Sequence, residues 1–133
     1  MIVKDEAEVI ERCLASVRSH IDCWVIADTG STDKTPQLIE TYLQDIPGAL
    51  LHHPWQNFAA NRSRVLKAAR GRAEWNLYID ADEVFEPGEN FFDELGDADV
   101  YLGPVVYASS GFEFLRWMFL RDAADWRFSG VVH

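Results

Sequence analysis

Between Ala73 and Leu115 the 133-residue chain has no lysine or arginine, although eleven of its 22 acidic residues fall there. Within a net charge of −10, that gap argues against a basic surface for nucleic acid. Cysteine is also scarce. Cys13 and Cys23 are too few and too weakly patterned for a disulfide framework or a zinc site, so free thiols in a cytoplasmic, reducing setting are expected. No apolar stretch approaches the roughly 20 residues that cross a bilayer, so no transmembrane segment is expected. Met1 to Glu6 does not read as a secretory signal. No GxxxxGK[ST] phosphate loop occurs, which weakens a phosphoryl-transfer reading. Repeats and low-complexity tracts are missing as well. What remains is 48% hydrophobic with five tryptophans, enough for one domain with a core.

The apolar pattern alternates between two periods. Asp5 followed by Glu8 predicts a capping box, and Val9, Ile10, Cys13, Leu14 and Val17 then recur at helical spacing to about Ser19. Met1–Val3 has room only for the tail of a strand. Cys23–Ala27 is a continuous apolar run, as in a strand buried on both faces. Thr35 as the cap and Pro36 in the first turn predict a helix that reaches about Asp45. A third short strand spans Ala49–His53, and a helix runs from Asn57 to Arg70, where Gly71 stops it. Strands alternating with helices predict a parallel sheet covered on both faces. Beyond Asp82 the pattern changes without a linker. A short helix is expected near Glu89–Leu95, then a strand pair, Val100–Ala108 and Phe112–Leu120, joined by Ser109–Gly111.

Two polar strand exits carry the chemistry. Trp75-Asn76-Leu77-Tyr78-Ile79 predicts a strand, followed by Asp80-Ala81-Asp82-Glu83. Unpaired carboxylates are costly to bury, so they belong at the strand's exit, where ligands bind in open α/β sheets. Extended geometry would put Asp80 and Asp82 on one side, suited to a hard cation such as Mg²⁺ or Mn²⁺. An acidic turn is the plainer alternative. The second exit, Asp28-Thr29-Gly30-Ser31-Thr32-Asp33, could hold a nucleoside: a carboxylate accepts from a base N–H, and glycine allows close backbone approach. Turn and cap chemistry explains each of its residues equally well. Glu86, Glu89, Asp93, Glu94, Asp97 and Asp99 read as a solvated face, and Trp117–Leu120 as core rather than an acceptor or membrane patch.

Ile2-Val3-Lys4-Asp5-Glu6, the Asp28–Asp33 loop, Asn57-Phe58-Ala59-Ala60-Asn61-Arg62 and Trp75–Glu83 together resemble the successive motifs of family 2 glycosyltransferases. The likeness runs from Met1 to about Glu86 and returns at Trp126–His133. It implies an α/β fold: a Rossmann-like GT-A three-layer sandwich with a mainly parallel central sheet, here truncated at both ends. It implies a single domain over 1–133, with a donor-binding half at 1–86 and a partial acceptor-side half at 87–133. It further implies a nucleotide-diphosphate sugar donor, Mn²⁺ or Mg²⁺ as cofactor, and a sugar, lipid or protein acceptor that the motifs do not specify.

By motif position Asp82 would be the direct metal ligand, with Asp80 assisting or contacting the ribose. His133 would be a further ligand. Asp28, Thr29 and Ser31 would hold the base, with Val3 and Asp5 bordering its pocket. Many relatives carry a second aspartate where Thr29 stands. Arg62 would approach the phosphates, and its alternative is a solvated helix arginine. Transfer in such enzymes usually inverts the anomeric centre and needs a carboxylate base. Glu113, Asp122 and Asp125 are the candidates, and Asp122 and Asp125 are preferred as catalytic residues. The competing reading is a truncated nucleotide-binding or protein-interaction module that has lost catalysis.

Overall fold

Residues 1–130 are described by a computed structural model. Nine elements follow in order: β1 (Ile2–Val3), α1 (Ile10–Val17), β2 (Trp24–Asp28), α2 (Thr35–Tyr42), β3 (Gly48–His52), α3 (Phe58–Ala69), β4 (Trp75–Leu77), β5 (Val100–Val106) and β6 (Glu113–Arg121). A 3₁₀ turn at Arg18–His20 extends α1. His133, expected as a metal ligand, lies outside the described residues.

The first half matches the expected alternation: β1, β2 and β3 form a parallel sheet in that order. The strand carrying the carboxylates departs from it. Trp75, Asn76 and Leu77 pair antiparallel with Arg121, Leu120 and Phe119, giving a second sheet ordered β4-β6-β5. Strand β1 is short, its two residues reaching only Ala27 and Asp28, whereas β3 pairs with all five residues of β2. The partner that β4 takes is the nine-residue β6. A cavity of about 360 Å³, lined by Val25, Ile26, Trp75 and Leu77 among others, separates the two sheets.

Helix α1 joins the sheets. Its buried residues recur at helical spacing and split between two clusters: Ile10 and Leu14 pack with Val3, Ile26, Ile39, Leu43 and Ala81, while Cys13 and Val17 pack with Ile79, Phe85 and Phe119. Burial pushes the Cys13 thiol up to about 12; it is a protonated core group, not a nucleophile. Trp117 packs at a tilt against the Tyr78 and Phe128 rings, and Phe119 and Leu120 are buried. This stretch is core.

Three local expectations are corrected. Asp5 forms no capping box, because its carboxylate accepts from the Thr32 N–H instead and α1 starts at Ile10 without a side-chain cap. Thr35 lies inside α2, where the Asp33 carboxylate accepts from its N–H and its hydroxyl. Residues 89–95 form turns, not a helix; Phe91 and Phe92 are drawn into ring contacts with Phe85 and Phe119, which override helical spacing. By contrast α3 starts as expected, with Asn57 Oδ1 accepting from the Ala60 N–H at 2.8 Å.

Candidate functional site

The site assembles where the carboxyl ends of β1 and β2 meet the turn after β4. Val3 pairs with Asp28 across the ladder and shares a core cluster with Ala81. That brings the Asp28 loop and the Asp80–Glu83 turn to one mouth. Asp28, 6% exposed, accepts from the Ser31 N–H at 3.0 Å and faces His52 Nδ1 at 3.6 Å. Gly30 allows the intervening bend with φ of 113°, a region other residues avoid. Thr29 donates both its N–H and its hydroxyl to the Val3 carbonyl, so it staples β1 to β2. Ser31 Oγ accepts from the Asp5 N–H at 2.9 Å. The two loops are therefore latched, and Asp28 and Ser31 are held at the rim.

The Asp80 segment is a turn, not an extended strand end. The Glu83 N–H donates to the Asp80 carbonyl, and the Asp80 N–H donates to Glu83 Oε2 at 2.9 Å. Asp80 and Asp82 consequently lose the common side that extended geometry predicts. Asp82 is exposed, and among the described residues its carboxylate makes no hydrogen bond or ion pair; Arg12 from α1 binds its backbone carbonyl at 2.9 Å. Asp80 turns inward. It accepts from the Tyr78 hydroxyl at 3.1 Å, lies 3.4 Å from Arg62 Nη2 and 3.3 Å from Arg116 Nη1.

Arg62 is 8% exposed and stacks on Phe58, Tyr78 and Phe128. It is no solvated helix arginine. Arg116, on β6, was not singled out by its sequence context; it bridges Asp80 and Glu83, with Nη2 2.6 Å from Glu83 Oε2. Burial disfavours the Arg116 cation, but the hydrogen bond and charge of Glu83, with the charge of Asp80, outweigh it and raise its pKa. The Tyr78 hydroxyl is pushed well above its usual range by burial first and by Asp80 next; it stays a donor. The pKa of the Glu6 carboxyl is raised by desolvation and then by the Asp82, Asp33, Asp80 and Asp5 carboxylates.

Asp122 and Asp125 are not brought to this mouth. The Gly71 N–H donates to Asp122 Oδ2 at 2.5 Å, Asp125 pairs with Arg70, and the Asp122 N–H donates to the Glu74 carbonyl. They sit at the end of β4 opposite to Asp80. Their polar character suggested a base; both lie past the end of β6, beside Gly71 and Arg70. No group of three or more acidic, histidine or cysteine residues converges as a cation site among the described residues. The donor set still suits a hard cation shared with a diphosphate, since one or two carboxylates plus phosphate oxygens suffice for Mg²⁺.

Comparison with known proteins bears on the family and the fold. The profile of glycosyl transferase family 2 matches residues 1–129. The chain belongs to that family. Relatives include a TPR repeat-containing protein of Synechococcus elongatus, 44% identical over 84 residues and covering 62% of this chain and 19% of its own. The glycosyltransferase SunS of Bacillus subtilis is 30% identical over 86 residues, or 64% of this chain and 19% of its own. The lipopolysaccharide core biosynthesis glycosyltransferase LpsC of Rhizobium meliloti is 30% identical over 84 residues, 62% of this chain and 30% of its own. The family chain thus spans about a fifth of the length of the first two. Residues 1–349 of S. aureus TarS align with a TM-score of 0.53 at 23% identity, over 62% of this chain and 26% of that one. The same protein in complex with UDP aligns with a TM-score of 0.53 at 24% identity, over 61% and 25%. The fold is the GT-A type. No helix among the described residues is long and apolar enough to cross a membrane.

Proposed function

We propose that this site binds a nucleotide-diphosphate sugar together with Mn²⁺ or Mg²⁺, as the donor half of a sugar-transfer reaction that inverts the anomeric centre. The observation that carries the reading is the split between two neighbouring carboxylates. Asp80 is pinned by Tyr78, Arg62 and Arg116, whereas Asp82 stands exposed at the mouth. Asp82 is the direct cation ligand in this reading, and Asp80 is the oriented second carboxylate. When bound, such an ion neutralises charge on the departing diphosphate. The Asp28 loop, bordered by Val3 and Asp5, receives the base, and Arg62 backs the phosphate side with fixed positive charge. The TarS complex with UDP and the resident family support a nucleotide-sugar donor. The acceptor is a sugar, lipid or protein hydroxyl.

A second reading has its own support. Asp122 and Asp125 lie away from the mouth, so a nucleotide-binding module of this fold without a base is the alternative. Thermal melts with UDP and GDP, with Mn²⁺ or with EDTA, test the binding. One nucleotide is expected to stabilise the chain only with the metal. Stabilisation that persists in EDTA, or none from either nucleotide, would contradict the reading. Release of free nucleoside diphosphate from the matching donor sugar separates transfer from mere binding.

A further inference from the structure

We propose that Arg116 is a specificity-determining residue: it makes the mouth select a cation–diphosphate complex over a bare cation. The inference rests on the nucleotide-and-metal reading above. Its starting point is charge. Asp80, Asp82 and Glu83 fall within one turn of chain. Three carboxylates sharing a turn attract a divalent ion by themselves, with or without a diphosphate. Arg116 cancels two of them. Its Nη1 lies 3.3 Å from Asp80 and its Nη2 2.6 Å from Glu83, which leaves Asp82 as the exposed carboxylate beside a pair of guanidiniums.

Those guanidiniums are organised. Arg62 and Arg116 both lie over the Tyr78 ring, at 4.9 and 5.6 Å from its centroid. Arg116 spends two of its five donors on the carboxylates, and its Nε is buried without a hydrogen-bond partner among the described residues. Planar donors in a fixed fork match phosphate oxygens. The result is a mouth with one open anionic ligand and a cationic back wall. It is poorly attractive to a free cation and well matched to a cation that arrives with negative charge of its own.

A purely structural arginine, tying β6 to the turn, makes a different prediction from this one. Removing a structural tie weakens every ligand. Removing a selectivity charge moves the two ligands in opposite directions. The test measures, by calorimetry, the binding of Mn²⁺ alone and then of UDP or GDP (whichever binds the unaltered chain) at saturating Mn²⁺. For Arg116→Gln we expect Mn²⁺ alone to bind roughly 3- to 10-fold tighter, the size of one screened charge at a few ångströms. We expect the nucleotide to bind about 10- to 100-fold more weakly, the loss of charge-assisted hydrogen bonds. Arg116→Lys keeps the charge and loses the fork, so bare Mn²⁺ binding stays within about twofold while the nucleotide still weakens. This second variant carries the test should Arg116→Gln fail to fold by circular dichroism. Weaker or unchanged Mn²⁺ binding in Arg116→Gln, unaltered nucleotide binding in either variant, or Mn²⁺ binding altered by more than about twofold in Arg116→Lys, would overturn the proposal while leaving the nucleotide reading intact. An unaltered chain that binds no nucleotide with Mn²⁺ would overturn both.

Discussion

Replacing Asp82 with alanine removes the metal-dependent stabilisation by nucleotide and leaves the ligand-free melting temperature almost where it was. The second half of that statement gives the first its force. The Asp82 side chain is exposed and unpartnered among the described residues, so its loss should change stability by no more than about 0.5 kcal/mol. Its backbone carbonyl, not its carboxylate, holds Arg12, and an alanine preserves that bond. With nucleotide at about 100 times its dissociation constant, mass action adds roughly 2.7 kcal/mol to the unaltered chain. For a chain of this size that is about 10 °C. The variant is expected to gain less than about 2 °C in the same buffer with Mn²⁺. A full shift in Asp82→Ala would mean that the open carboxylate is not the cation's anchor.

Asn61→Ala is expected to cost about 2–5 kcal/mol in chemical unfolding, although it removes a polar side chain from a motif that reads as functional. Asn61 is fully buried. Its Oδ1 accepts from the Gln56 and Asn57 N–H groups at 3.0 and 3.3 Å, and its Nδ2 donates to the Pro54 carbonyl. Alanine removes three hydrogen bonds at the entry to α3, each worth about 0.5–1.5 kcal/mol, and leaves a cavity at a fully buried position. The neighbouring Asn57→Ala loses one N-cap bond and should cost only about 1 kcal/mol. Urea melts of the two variants side by side give the ratio. Equal, small losses would show that the loop is held some other way. The consequence for function is indirect: Asn61 fixes the first turn of α3, and the next residue is Arg62, the buried guanidinium under Asp80.

What could be read from residue order alone follows the range of the forces involved. Strand β2 and helix α3 are local features, set by an apolar run and by an Asn57 cap with Gly71 at its end, and both stand where expected within a residue or two. Asp80 and Asp82 stand out because unpaired carboxylates after an apolar run resist burial, whereas Asp28, read from its polar loop, is itself buried. The errors lie where distant chain decides. Asp5 and Glu8 have the spacing of a cap, but Ser31 and Thr32 compete for Asp5 from across the sheet. The partner of β4 is the distant β6, which no pattern within residues 75–83 reveals. Arg116 sits inside an apolar strand, 36 residues beyond Asp80, and nothing near it in sequence says that the strand returns beside the acidic turn. One signal was available. It is the first cation after the long acidic stretch, and buried carboxylates need a partner.

Amide chemical-shift mapping of the isotope-labelled chain with UDP or GDP and Mg²⁺ tests the central claim most directly. A single donor site at the meeting of three strand exits predicts that Val3, Asp28–Ser31 and Asp80–Glu83 move together on one binding curve, and that EDTA reverses all of them. Shifts confined to the residues around the 360 Å³ cavity between the two sheets, or movement of the Asp28 loop without the Asp80–Glu83 turn, would contradict it.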